Sequence, residues 1–154
     1  SRLITSESIH LITFGHAAKE AMASIPLPQT HLEFLADASS LRIAYCAADV
    51  FVAPSRMDAF GKTLAESMAC GTPVVCFDAT GPKDIVDHKL TGYKAQPFDA
   101  ADLARGIDWV LDQSPEKYKV MRAQCRQTAL TRFDSRVIAR QYLDLYEEIL
   151  GRWR

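Results

Sequence analysis

The sequence predicts an α/β fold with a Rossmann-like parallel sheet, on three observations. Short apolar runs of strand length recur along the chain: IHLITF, VFVA and VVCF. Residues 50–53 are apolar at every position, as a strand covered on both faces requires. Between the runs lie stretches with helical spacing and capping signals, and strands that alternate with helices imply right-handed crossovers in a parallel sheet. About five strands are expected.

Residues 9–14 (IHLITF) make the first strand, ended by Gly15. A small Ala-rich helical stretch follows, before Pro26 and Pro28 break the chain. Residues 31–35 supply a second strand. Ser39 or Ser40 caps a helix running to about Ala47, and Asp49 opens the strand at 50–53, which Pro54 and Ser55 end. A helix over about 62–70 is closed by Gly71 and Pro73, the usual stop signals. The buried strand 74–77 comes next, then a short helix over 82–87, the turn Thr91-Gly92 and a strand near Tyr93. Asp99, with Asp102 three residues on, is read as the N-cap of a helix carrying Leu103, Ile107, Val110 and Leu111 at helical spacing. Ser114-Pro115-Glu116 is a helix start with proline at its first position. A final helix carries Ile138, Tyr142, Leu145 and Ile149 on one face, and these last helices belong to the same domain or lean across to a neighbour. No internal repeat or low-complexity segment interrupts this order.

A chain of 154 residues supports one domain with a real core and not comfortably two. With 48% hydrophobic and 24% charged residues it has the composition of a soluble globular protein. A formal net charge of -1 gives no reason to expect nucleic acid, which needs clustered positive charge. Cys46, Cys70, Cys76 and Cys125 form no C-x-x-C pair, and SRLITSES lacks the character of a signal peptide, so a reducing cytoplasm is expected. No apolar run approaches the roughly 20 residues a membrane helix needs. The abrupt start leads us to expect an N-terminally truncated piece of a longer protein.

The chemistry is concentrated in ADVFVAPSRMDAFGKTLAESMACGTPVVCFD. In an open parallel sheet the ligand sits beyond the carboxyl ends of the strands, and the loop 55–61 leaves the carboxyl end of VFVA. Gly61 lets the backbone approach a ligand closely. The helix that follows offers free N–H groups at about Lys62, Thr63 and Leu64 and a partial positive charge, a seat for phosphate. Glu66, one turn into that helix, is within reach of the hydroxyls of whatever carries the phosphate, and Asp58 stands on the other side of the helix start. The arrangement points to a nucleotide-sugar site.

These residues resemble the retaining glycosyltransferases of the GT-B fold, often called group 1 or family 4. That family's signature is an acidic residue, seven spacers and a glutamate, closed by Ala-x-Gly-x-Pro-Val-Val. Asp58 and Glu66 have the spacing, and Ala69-Cys70-Gly71-Thr72-Pro73-Val74-Val75 supplies the close. Ala48-Asp49-Val50-Phe51-Val52, Pro54-Ser55, Gly81-Pro82-Lys83-Asp84-Ile85-Val86 and Thr91-Gly92-Tyr93 are also similar to the family. The resemblance covers nearly the whole chain, and bacterial surface-polysaccharide transferases are the nearest group within it.

The resemblance implies a donor-binding C-terminal domain over 1–154 whose acceptor-binding N-terminal partner is absent. Glu66 would bind the ribose of a nucleotide-sugar donor, and Asp58 would contact the transferred sugar near the reacting centre. Backbone groups of Ala59, Phe60 and Gly61 would meet the hexose, those of Thr63 and Leu64 the diphosphate, and Leu35, Ala36 and Asp37 would edge the base. Lys62 is a further phosphate candidate. Transfer would proceed with retention and without a bound metal or other cofactor, onto a glycan or lipid-linked acceptor. The expected location is the cytoplasm, including the inner face of the cell membrane. Two departures stand out. Asp58 is one methylene shorter than the family's usual glutamate, and the family's paired basic residues on the diphosphate lie before this chain begins. The isolated chain is therefore not expected to turn over.

Plainer readings compete. Asp58 could serve only to stabilise a turn, and Lys62 and Arg56 could be ordinary surface cations. Cys70 and Cys76 are most simply core residues. His10, His16, His31 and His88 lack metal-ligand spacing. Gly151, Arg152, Trp153 and Arg154 either fray or touch a membrane surface. Neither a G-x-S-x-G elbow nor a G-x-G-x-x-G turn is present, which removes support for a hydrolase or a dinucleotide oxidoreductase. A nucleotide-sugar epimerase of the same fold and a non-catalytic binding module remain as alternatives.

Overall fold

Among the described residues two parallel strands come first, helices and strands then alternate, and three helices complete the chain's order. The structure is a computed structural model that describes residues 9–16 and 24–152. The Ala-rich helical stretch expected after Gly15 lies outside the described residues, as do Trp153 and Arg154. Strand β1 (Leu11–Phe14) pairs in parallel with β2 (Gln29–Leu32), Leu11 opposite Gln29 and Phe14 opposite Leu32. Helix α1 (Ala38–Ala47) leads to β3 (Phe51–Ala53), and α2 (Lys62–Ala69) leads to β4 (Val74–Phe77). The short α3 (Pro82–Ile85) precedes β5 (Gly92–Ala95). Helices α4 (Ala100–Leu111), α5 (Pro115–Arg132) and α6 (Ser135–Arg152) follow.

The α/β Rossmann-like expectation holds, with a correction to the sheet. Among the described residues the five strands lie in two sheets, β1–β2 and β3–β4–β5, rather than in one. Side chains span the gap between them: the rings of Phe14 and Phe51 stack at 6.4 Å, and Tyr45 meets both edge-on. Phe51 and Val52 are accordingly half-buried rather than covered on both faces.

Strand β2 begins two residues before the expected site and ends at Leu32, because Glu33 turns to a positive φ of 22°. The cap of α1 is Asp37, whose Oδ1 accepts the Ser40 amide at 2.8 Å, and not Ser39 or Ser40. Helix α3 stops at Ile85, since Val86 turns extended and the Asp87 amide donates to Thr91 Oγ1. Asp99 and Ser114 cap α4 and α5 as anticipated.

The core lies between the three-stranded sheet and α2, α4 and α5. Leu64 and Met68, one turn apart on α2, are fully buried with Val74, Val75, Cys76, Ile85 and Val110, and Met121 and Cys125 come from α5. Each such side chain contributes about 1.5–3 kcal/mol through removal from water. Burial pushes the Cys76 and Cys125 thiols up to about 12, so both act as small apolar groups. Cys70 is half-buried rather than a core residue. Gly92 is a fixed requirement of the sheet: a Cβ there would fall 1.8 Å from the Val74 carbonyl oxygen on β4.

Candidate functional site

Strand β3 ends at Ala53, and the loop that follows returns to the sheet at the start of α2. Asp58 shapes this loop. Its Oδ1 accepts the Phe60 amide at 3.1 Å and the Gly61 amide at 2.8 Å, a side-chain turn that mimics a backbone one. Its carbonyl accepts the Gly81 amide at 2.9 Å, which clips the loop after β4 to the loop after β3. A Cβ on Gly81 would lie 2.5 Å from the Phe60 backbone, so only glycine permits that contact.

Gly61 is the N-cap of α2 in the left-handed region, φ 94°, which is open to glycine at little cost. Its carbonyl accepts the Leu64 amide at 3.0 Å. The Leu64 N–H thus has a partner inside the first turn. The Phe60 and Gly61 amides are held by Asp58. The amides that remain open at the helix start belong to Lys62 and Thr63, where the positive end of the helix dipole adds to their pull on an anion. Ala59 is exposed on the same loop.

Glu66 lies one turn further along, half-buried, with its side chain 35% exposed. The Tyr45 hydroxyl on α1 donates to its Oε2 at 3.1 Å, and Lys62 Nζ approaches Oε1 at 3.7 Å. Burial, and then the negative charge of Glu66, push the Tyr45 phenol well above its ordinary range, so it stays a donor. Glu66 stands on the wall between two grooves. One, of about 630 Å³, runs beside Ala38, Leu41, Arg42 and Tyr45. The other, of about 1030 Å³, is bordered by Phe60, Phe133, Tyr142 and Leu145.

The remaining expected residues divide. Leu35, Ala36 and Asp37 precede α1, and the Asp37 carboxyl is held below its usual range by its bonds to Ser40, in keeping with a cap. The Arg56 guanidinium lies over the Phe98 ring at 5.0 Å. Lys62 is a surface cation, its side chain 85% exposed. Sequence reasoning missed Tyr45 and Gly81. A tyrosine on the apolar face of α1 signals a hydroxyl in need of a partner, but the identity of that partner is visible only in three dimensions. Among the described residues no group of three or more His, Cys, Asp or Glu is arranged to hold a metal ion, and no helix is long and apolar enough to cross a membrane.

Known proteins are similar to this chain in sequence and fold. The chain is 29% identical over 102 residues to the N,N'-diacetylbacillosaminyl-diphospho-undecaprenol alpha-1,3-N-acetylgalactosaminyltransferase of Campylobacter jejuni, covering 66% of this chain and 27% of that enzyme. It superposes on sucrose-phosphate synthase from Thermosynechococcus elongatus with a TM-score of 0.70 and 32% identity, over 80% of this chain and 30% of that one. Anabaena HepE, solved in complex with UDP, matches with a TM-score of 0.76 and 23% identity over 92% of this chain and 41% of its own. The chain thus spans less than half the length of each of these relatives. The family of glycosyl transferases group 1 matches residues 22–128, and the chain belongs to that family.

Proposed function

We propose that this chain is the donor-binding part of a longer, retaining hexosyltransferase that uses a nucleotide-sugar donor to build a glycan or lipid-linked saccharide. The observation that carries the reading is the half-buried Glu66 one turn behind the open Lys62 and Thr63 amides, in a chain of the group 1 family. In this reading the Glu66 carboxylate accepts the ribose hydroxyls, and the two amides meet the diphosphate. Asp58 holds the loop over the hexose with one oxygen and presents the other towards the sugar. Ala59 completes that loop, and Leu35, Ala36 and Asp37 border the base. UDP in the HepE complex supports a nucleotide donor. Charge developing on the departing diphosphate is met by preorganised amides and by basic side chains in polypeptide outside this chain, with no metal required. The acceptor binds to a further domain of the longer protein, in the cytoplasm or at the inner face of its membrane.

Titration of UDP-glucose and GDP-mannose onto the chain tests the donor site. One of them is expected to bind weakly, and Glu66→Ala is expected to weaken that binding further; unchanged binding refutes the ribose role. In the longer enzyme, Asp58→Ala is expected to lower turnover more than donor affinity. Release of the sugar with inverted configuration would refute retention, and isomerised donor without transfer would indicate an epimerase.

A further inference from the structure

Resting on the ribose role given to Glu66, we propose that Tyr45 is a positioning residue for ribose recognition, holding the Glu66 carboxylate in the orientation that receives the sugar hydroxyls. Tyr45 is only 2% exposed, and its hydroxyl reaches Glu66 Oε2 at 3.1 Å. Two aromatic rings pack against that side chain. Phe14 meets it edge-on at 5.6 Å and Phe51 at 5.4 Å, from β1 and β3. Its backbone is pinned as well, the carbonyl accepting Thr72 Oγ1 at 2.7 Å. The phenol is therefore held at its base and packed against two neighbouring rings, with the hydroxyl at its tip.

The other contact of Glu66 does not substitute for it. Lys62 Nζ stands 3.7 Å from Oε1 on a side chain that is 85% exposed, and exposed pairs of that kind fix little. A carboxylate offers about four acceptor positions, so one bond from Tyr45 leaves most of its capacity for a diol. Supporting a binding group from a packed neighbour removes the entropy cost of ordering it when the ligand arrives. A plain tie between α1 and α2 would use the same bond, but it would not distinguish ligands that have ribose hydroxyls from those that lack them.

That distinction is the test. UDP, GDP and their 2′,3′-dideoxy counterparts are titrated calorimetrically onto the chain, Tyr45→Phe, Glu66→Ala and the double variant, with thermal melts to verify folding. Tyr45→Phe is expected to weaken the bound ribonucleotide roughly tenfold, as loss of a bond to a charged group does, and to leave the dideoxy form unchanged. The double variant is expected to bind no more weakly than Glu66→Ala. If Glu66→Ala removes the preference for ribose and Tyr45→Phe leaves it intact, the positioning role is overturned and the ribose role stands. Equal weakening of both ligands by Tyr45→Phe also overturns it, in favour of a structural tie. If Glu66→Ala changes nothing, or neither ribonucleotide binds at millimolar concentration, the ribose role fails and this inference fails with it.

Discussion

Gly81 shows how a side chain that is not there can position a site. Its amide holds the Asp58 carbonyl at 2.9 Å, and a Cβ in its place would press on the Phe60 backbone at 2.5 Å. Backbone cannot yield as a side-chain end can, so Gly81→Ala is expected to push the loop after β3 off the helix start. The expected cost is about 1–3 kcal/mol, read as a lower urea midpoint, together with weaker nucleotide binding. A variant of wild-type stability and affinity would show that the two loops move independently. The placement of Asp58 and Glu66 about the start of α2 was legible in the linear order from their spacing and the glycine between them. The same order is silent on how Asp58 divides its bonds. Its Oδ1 takes two amides of its own loop, the geometry of the turn-forming reading. The order is equally silent on the partner of the Leu64 amide, which donates to the Gly61 carbonyl.

Among the connecting elements, the segment from α3 to β5 carries a pH dependence. His88 lies against Tyr93, ring centroids 4.7 Å apart, and its Nδ1 accepts the Lys94 amide at 3.0 Å, which requires the neutral ring. Burial first, and then the neighbouring Lys89 and Lys94 charges, hold its pKa below the ordinary value of 6.5. The unfolded chain therefore takes up this proton more readily than the folded one. The contribution to stability is full above pH 6.5 and is lost as pH falls through that value towards the depressed folded one. Melting temperature is expected to decline between about pH 7 and 5, and His88→Asn, which keeps an acceptor but cannot be charged there, should flatten that decline. An unchanged slope in the variant would assign the effect to other groups. Helices were the elements best read in advance, because caps such as Asp99 and Ser114 satisfy local donors within three residues. Strand ends were read less well. The end of β2 depends on a partner strand about 20 residues away and on the turn at Glu33, neither of which leaves a local signature.

Taken whole, the molecule has two features that a one-dimensional reading did not resolve. Helix α6 buries none of its residues, and Tyr142, Leu145, Tyr146, Ile149 and Leu150 are all exposed along it. The apolar stripe was legible, but periodicity reports that a face is apolar and not what covers it. The division of the sheet is the second feature. Each strand was read from its own stretch of sequence, yet whether two parallel strands bond depends on a register that no such stretch encodes. The division makes a prediction about backbone exchange. On β1 the Leu11 amide donates to Pro28, and that of Gly15, just past the strand end, donates to Glu33, both on the β2 side. On β3 the Phe51 amide donates to Pro73, on the β4 side. Alternation then turns the amides of Ile12, Phe14 and Val52 towards the gap between the sheets. By contrast Val75 and Cys76 sit in β4, flanked by strands on both sides and fully buried. Native-state hydrogen exchange should therefore find Ile12, Phe14 and Val52 exchanging at least roughly tenfold faster than Val75 and Cys76, since unpaired edge amides open without global unfolding. Protection at Ile12 and Val52 equal to that of Val75 would mean that a strand fills the gap in solution. The next experiment would then be to identify whether that strand comes from this chain, from a second copy pairing edge to edge, or from polypeptide that joins it in the longer enzyme.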